Sequence, residues 1–199
     1  MEIHSRVPRS PVPQQDGLAT CGRTVVLGLG NPILGDDGIG LAVARELRRL
    51  LDRKSIHGVD VLISTRGGFD LIELLMGYGR ALIVDCLDLP DPTPGRVHRL
   101  GLEHVAGCAR LVSMHEIGIG TAFRLAGQLG VPMPADVEIL AIEAADTRTI
   151  GEALTPAVRA AGDLVAQQVY EDLRQRAPEN EPPDSQEFHS RRTLYAPAS

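Results

Sequence analysis

The order of apolar patterns along the chain limits its fold more than any other feature of the sequence. Between residues 23 and 175, short β-branched runs alternate with segments whose apolar residues recur at helical spacing. We predict five strands, which are listed here by number: 24–30, 59–65, 81–85, 95–100 and 137–142. Such alternation is typical of a sheet covered by helices on both faces. The predicted fold class is therefore α/β, a three-layer sandwich around a five-stranded, mostly parallel sheet.

Helical patterns fill the segments between these strands. The first helix is predicted from about Ile39, and three others at about 70–76, 116–129 and 155–172. The strand at 95–100 differs from the others because its apolar residues alternate with polar ones. We therefore expect it at an edge of the sheet, where an antiparallel direction is allowed. The order of the strands does not follow from these patterns.

The two ends of the chain differ in composition from its middle. Residues 1–22 and 176–199 are rich in proline and polar residues and have no apolar period. Segments of this composition bury too little apolar surface to offset the entropy of ordering. We predict a disordered arm, a single domain at 23–175 and a disordered tail.

Composition excludes several classes of function. The net charge of −6 disfavours nucleic acid as a partner, because phosphates require clustered Lys and Arg. The longest apolar runs fall far below the roughly 20 residues of a membrane-spanning helix. Three cysteines (Cys21, Cys86 and Cys108) are widely spaced, which favours neither a disulfide framework nor a thiolate zinc site. We expect a cytoplasmic protein that binds neither membrane nor nucleic acid.

Polar residues collect where ligands bind in this fold class, beyond the carboxyl ends of the strands. Asn31, Asp36 and Asp37 follow the first predicted strand, Asp85 closes the third, and His115 precedes the helix at 116–129. If the second and third strands flank the first, Asp37 and Asp85 would meet between neighbouring loops. The two carboxylates could then share a cation.

The glycine-rich loop after the first strand does not fit a nucleotide site. Gly28-Leu29-Gly30 begins like a dinucleotide fingerprint, but Ile33 stands at the third glycine position. The spacing from Gly30 to Gly35 also suits a phosphate loop, yet Asp36 and Asp37 follow where Lys and Ser or Thr would be needed. These carboxylates would repel a phosphate, so they suit a cation or a helix cap better.

Each candidate also has a structural alternative. Asp36 or Asp37 could cap a helix, Asp85 could start a turn, and His115 could be a helix cap. Two carboxylates and an imidazole suit a borderline divalent metal with open positions. Without metal, the same groups could perform general acid–base hydrolysis. The sequence leaves these options open.

Five short motifs follow one another along the chain: Gly28-Leu29-Gly30-Asn31-Pro32, Gly35-Asp36-Asp37-Gly38-Ile39-Gly40, Gly67-Gly68, Ile83-Val84-Asp85 and Ser113-Met114-His115-Glu116-Ile117-Gly118. Together they resemble the hydrogenase maturation endopeptidases, over roughly residues 23–173. The resemblance implies a twisted five-stranded sheet between helices. It also implies an aspartic-type endopeptidase that removes the C-terminal extension of a nickel-iron hydrogenase large-subunit precursor after nickel insertion.

By this resemblance, Asp37, Asp85 and His115 are the catalytic and metal-contacting residues. The family is thought to sense nickel that the precursor carries, so nickel is expected as part of the substrate and not as a permanently bound cofactor. Asn31 and the Gly67-Gly68 turn are weaker candidates for loop shaping or substrate contact, and loop shaping is favoured for Asn31. The protein is expected to be a monomer.

Two alternatives remain at the level of sequence. Peptidyl-tRNA hydrolase has an opening segment that also resembles 28–32, but its histidine should follow that motif shortly, where this chain has acidic residues. A non-catalytic nucleotide- or metal-binding module could use the same doubly wound sheet. Because Ile33 replaces the third glycine of the dinucleotide motif, nucleotide binding by such a module is disfavoured.

Overall fold

The computed structural model describes residues 21–105 and 119–176. Strands are β1 (Cys21–Leu29), β2 (Val59–Ser64), β3 (Tyr78–Leu87), β4 (Val97–Gly101) and β5 (Asp136–Glu143). Helices are α1 (Ile39–Arg53), α2 (Asp70–Leu75), α3 (Leu102–Val105), α4 (Ile119–Gln128) and α5 (Pro156–Arg176), and a 3-10 turn at Gly35–Gly38 precedes α1. Most of the predicted arm and tail lies outside the described residues.

The five strands form one sheet in the order β2-β1-β3-β5-β4. Strands β2, β1, β3 and β5 are parallel, and β4 is an antiparallel edge strand paired with β5. The mostly parallel sheet and the edge position of β4 are therefore confirmed. Because β2 and β3 lie on opposite sides of β1, the chain reverses its direction of winding there. Loops diverge at such a point and leave a crevice.

Helices cover both faces of the sheet, which confirms the three-layer architecture. Alternate side chains of β1 explain why: Val26 packs in the cluster below α1 and α5, whereas Val25 and Leu27 pack in the cluster below α2 and α4. All three side chains are fully buried. A strand buried on both faces needs a continuous apolar run, and this is the pattern from which β1 was predicted.

Several element limits differ from the sequence prediction. Strand β3 continues through Cys86 to Leu87, so Asp85 lies inside the strand and does not start a turn. The pairing explains the extension, because Asp85 and Leu87 lie opposite Ala141 and Glu143 of β5. Helix α3 was not predicted, and α5 extends four residues beyond its predicted end. The helix predicted from residue 116 corresponds to α4, which is described from Ile119 onward. Its predicted start lies outside the described residues.

Across 21–105 and 119–176, no helix combines the length and the apolar character that crossing a membrane needs.

Candidate active site

Asp85 is held in the middle layer of the molecule, near the carboxyl end of β3. Its neighbour Val84 pairs with Gly28 of β1, so Asp85 stands one residue further toward the crevice. The side chain is fully buried, and its Oδ1 accepts a hydrogen bond of 2.8 Å from the backbone N–H of Cys86. This bond fixes the orientation of the carboxylate. A buried carboxylate at a crevice is a costly feature, and such features concentrate at functional sites.

Asp37 reaches the same region from the 3-10 turn that precedes α1. Its side chain is 4% exposed, and its backbone N–H donates to the carbonyl of Leu34 at 3.1 Å. The turn approaches the sheet closely because glycines leave room for it: a Cβ on Gly40 would collide with the carbonyl oxygens of Leu29 and Val84. This close approach places the first turn of α1 against the ends of β1 and β3.

The buried thiol of Cys86 lies in the field of several carboxylates. Burial raises its pKa most, and the negative charges of Asp85, Asp37 and Asp36 raise it further. The side chain is fully buried within β3. Asp37 and Asp85 therefore both act on this thiol, and β2 and β3 do flank β1. A buried thiol with a raised pKa is a core residue and is neither reactive nor suited to bind a metal.

Asp36 has a different role from its neighbour Asp37. It does not cap its own helix; its fully buried carboxylate accepts hydrogen bonds from the loop between β5 and α5. Oδ2 accepts from the N–H groups of Ala145 and Asp146 at 2.9 and 3.1 Å. Thr155 donates its N–H to Oδ1 at 2.7 Å and its hydroxyl to Oδ2 at 2.9 Å. Of the two adjacent aspartates, Asp36 therefore fastens two loops together, and Asp37 remains the candidate for chemistry.

A fourth buried carboxylate, Glu143, lies at the end of β5 and was not singled out from the sequence. His98 Nε2 lies 2.7 Å from Glu143 Oε1, and the N–H of Thr93 donates to Oε2. The backbone N–H of Gly95 also donates to the carbonyl of Glu143 at 2.9 Å. These contacts anchor the proline-rich loop that follows β3. No local pattern could indicate this, because the partners are about 45 residues from Glu143 in the sequence.

The weaker candidates, Asn31 and the Gly67-Gly68 turn, lie in the loops that follow the carboxyl ends of β1 and β2. Asn31 Oδ1 accepts a hydrogen bond from the N–H of Ile33 at 3.1 Å, which is the geometry of an Asx turn. Gly67 and Gly68 lie between β2 and α2, and Gly68 has a φ of +66°. The carbonyl of Gly68 accepts from the N–H of Leu71 at 3.3 Å. Both segments thus shape turns, and nothing in their geometry tests a contact with substrate.

The third predicted ligand, His115, lies outside the described residues. Among residues 21–105 and 119–176, no three acidic, histidine or cysteine side chains are grouped so that they could hold a metal ion. Asp37 and Asp85 are thus two oxygen donors that would need a further donor to complete a metal site. Their chemistry fits a borderline divalent cation such as nickel together with a nitrogen ligand.

Residues 41–172 match the family model described as hydrogenase maturation protease. The chain belongs to this family. The matched segment includes Asp85 and His115 but begins four residues after Asp37. The assignment confirms the resemblance found in the motifs, and it favours the protease reading over the peptidyl-tRNA hydrolase and binding-module alternatives.

Individual relatives agree with the family assignment. The chain is 28% identical over 140 residues to the hydrogenase expression/formation protein HupD of Bradyrhizobium diazoefficiens, which covers 69% of this chain and 70% of HupD. Its fold is similar to the hydrogenase maturating endopeptidase HybD from E. coli, with a TM-score of 0.61, 25% identity and coverage of 77% and 93% of the two chains. It is also similar to the [NiFe] hydrogenase maturation protease HybD from Thermococcus kodakarensis, with a TM-score of 0.56, 26% identity and coverage of 76% and 98%.

Proposed function

We propose that this member of the family is an endopeptidase that removes the C-terminal extension of a nickel-iron hydrogenase large-subunit precursor once nickel has been inserted. The observation that carries the proposal is the placement of two buried carboxylates, Asp37 in the turn before α1 and Asp85 near the carboxyl end of β3, beside the winding reversal of a hydrogenase maturation protease fold. The precursor would bring the nickel, so nickel belongs to the substrate. The proposed enzyme is of the aspartic type, acts as a monomer and works in the cytoplasm.

In this proposal the site recognises nickel before it cleaves. Asp37 and Asp85 supply oxygen ligands and His115 supplies a nitrogen ligand. Oxygen and nitrogen donors suit a borderline divalent ion, and a low ligand count suits transient binding. Neither Asp37 nor Asp85 is on a long flexible loop: Asp37 is in a turn packed on the sheet, and Asp85 is inside β3. These two carboxylates are therefore preorganised, which limits the entropy lost when the precursor binds.

Positioning would supply much of the rate enhancement. A metal shared between enzyme and precursor converts a diffusional encounter into an oriented one, and orientation can lower a barrier by several kcal/mol. Hydrolysis also requires an activated water. The carboxylates of Asp37 and Asp85 are the described groups that could accept its proton, and the shared metal is the other route to activation.

The experiment that tests the proposal uses the full chain and two forms of one large-subunit precursor. Intact mass would be measured for nickel-loaded and nickel-free precursor, each with and without this protein. We expect loss of a C-terminal peptide from the nickel-loaded form alone. Equal cleavage of both forms would contradict nickel sensing while leaving the protease assignment intact. If this protein cleaved no hydrogenase precursor from its own source, the proposed substrate would be wrong.

A further inference from the structure

Strand β2 is an edge strand, and its pairing with β1 shows which of its backbone groups point outward. The N–H of Thr24 donates to the carbonyl of Gly58 at 2.8 Å, so Gly58 faces β1. Backbone groups of successive strand residues point to opposite sides, so the even-numbered residues of β2 face β1. The N–H and carbonyl groups of Val59, Val61 and Ile63 therefore point away from β1. Within 21–105 and 119–176, no strand lies beyond this edge.

One part of this edge is covered and another part is open. Arg48 of α1 donates to the carbonyl of Val61 from Nη2 at 2.6 Å and from Nε at 3.2 Å. A charged side chain on an edge strand is a common protection against pairing with another strand. Among the described residues, by contrast, no turn, strand or side chain binds the outward groups of Ile63.

The open groups favour one direction of an added strand. In an antiparallel pair, two opposite residues exchange both of their N–H···O bonds, so a partner residue could bind Ile63 alone. A parallel strand at this position would also need the carbonyl of Val61, which Arg48 already binds. The edge therefore suits a short antiparallel segment at Ile63.

This open end of β2 lies close to the candidate active site. Gly28 of β1 pairs with Ile63 on one side and with Val84 on the other, and Asp85 follows Val84. Neighbouring strands are about 4.8 Å apart, so a segment added beyond β2 would lie about 15 Å from the backbone of Asp85. An extended chain covers this distance in about four or five residues.

We propose that the C-terminal extension of the precursor adds to β2 as a short antiparallel strand, with one of its residues bound to the N–H and carbonyl of Ile63. This inference rests on the proposed function. Strand β2 runs toward the crevice, so an antiparallel segment runs away from it. The bound residue therefore follows the scissile bond, by about four or five residues, and belongs to the part that is removed. Main-chain hydrogen bonds supply affinity in such strand addition.

The geometry favours the substrate over a second copy of this chain as the occupant. Arg48 covers the middle of the edge, so two copies could not pair along the whole of β2 without losing its hydrogen bonds. The open end at Ile63 is instead continuous with the crevice that holds Asp85. A polypeptide cleaved in this crevice must leave it on one side, and the β2 edge offers hydrogen bonds there.

Proline variants test the hydrogen bond donated by Ile63. Ile63→Pro removes the outward N–H, and an edge strand tolerates proline where its N–H faces solvent. With nickel-loaded precursor we expect KM to rise about fivefold and kcat to change less, which corresponds to one hydrogen bond of about 1 kcal/mol. The matched control Val59→Pro makes the same change at the far end of the edge and should keep the wild-type KM. Ile63→Ala retains the N–H and should raise KM less than Ile63→Pro.

The outcomes separate this inference from the proposed function. If wild type cleaves the precursor while Ile63→Pro and Val59→Pro share one KM, the extension does not add to β2 and the proposed function stands. If wild type cleaves no hydrogenase precursor, both proposals are wrong.

Amide hydrogen exchange gives a readout that does not depend on how well a proline variant folds. The Asp85→Asn variant would be mixed with nickel-loaded precursor that carries or lacks the extension, and exchange would be followed residue by residue. We expect the Ile63 amide to exchange more slowly only with the precursor that carries the extension. Equal exchange with both forms would overturn the proposal. Slower exchange of Val59, Val61 and Ile63 at rising protein concentration without precursor would assign the edge to a second copy and also overturn it.

Discussion

Asp36 and Thr155 are joined by two hydrogen bonds although they are 119 residues apart in the sequence. The carboxylate of Asp36 also accepts from two N–H groups of the loop after β5. These bonds tie the turn that carries Asp37 to the entrance of α5. Asp36 thus supports the site without being part of its chemistry.

The Asp36→Asn variant is expected to lose about 2–4 kcal/mol of unfolding free energy, because an amide presents one acceptor oxygen where two now serve buried donors. Urea unfolding would measure the loss. The control is Asp52→Asn at an exposed position of α1, which should change the free energy by less than about 0.5 kcal/mol. If Asp36→Asn were as stable as the control, Asp36 would not hold the two loops.

Cys86 is expected to resist alkylation in the folded protein. Burial and the neighbouring carboxylates raise its pKa, so little thiolate forms, and the side chain is closed to reagents. Mass mapping after iodoacetamide at pH 8 should find Cys86 modified in urea and unmodified without it. Modification of native Cys86 at the unfolded rate would mean that the carboxylate neighbourhood is open to solvent.

Asp172 on α5 should make stability depend on pH in the acid range. Burial raises the pKa of its carboxyl group, but hydrogen bonds from Arg80 and Arg176 and their charges outweigh this and leave the pKa lowered. Because its pKa is lower in the folded state, the ionised Asp172 stabilises the protein at pH values above the unfolded-state pKa of about 4. This stabilisation is lost as pH falls through the folded-state pKa.

The Asp172→Asn variant should therefore be less stable than wild type by about 1 kcal/mol at neutral pH, and the gap should close as pH falls toward 3. Urea unfolding between these pH values would show the trend. Asp163→Asn, an exposed change on the same helix, supplies the baseline. A gap that stayed constant with pH would exclude the ionised Asp172 as its source.

Two exposed isoleucines lie beside the candidate site and are expected to contact the precursor. Ile33 is 53% exposed and Ile150 is 82% exposed, and the carbonyl of Ile33 accepts from the N–H of Gly151 at 3.0 Å. Their loops are those fastened by Asp36, so they border the turn of Asp37. Adjacent exposed apolar residues at a crevice are typical of an interaction surface.

If the precursor docks there, Ile150→Asp should raise KM for precursor cleavage several-fold with a smaller change in kcat. Leu164→Asp provides the matched control, since Leu164 is 52% exposed on α5. An equal KM for the two variants would show that Ile150 takes no part in docking.

The sequence was sufficient for the architecture because buried parallel strands carry their own signal. Val25, Val26 and Leu27 are apolar on both faces of β1, and the polar alternation around His98 marked β4 as an edge strand. The limits of β3 were less accurate, since Asp85 interrupts the apolar run while its backbone continues to pair with Ala141 of β5. Backbone pairing does not depend on side-chain polarity, so the pattern alone could not show it.

The candidate site was only partly accessible from sequence. Asp37 and Asp85 could be named because each lies near the carboxyl end of a predicted strand, but whether those ends are neighbours depends on a strand order that no local pattern contains. Asp36 and Asp37 could not be told apart, since the partner of Asp36 is Thr155, far along the chain. Glu143 was missed for the same reason, as its partner His98 lies on another strand.

The central claim is that Asp37 and Asp85 act together with substrate nickel in cleaving the precursor. The most direct measurement is the intact mass of a nickel-loaded precursor after treatment with wild type, Asp37→Asn, Asp85→Asn or the Asp52→Asn control, each checked for folding by circular dichroism. We expect wild type and Asp52→Asn to release the C-terminal peptide, and the two site variants to lose at least about a hundredfold in rate. Cleavage at the wild-type rate by folded Asp37→Asn and Asp85→Asn would contradict the claim.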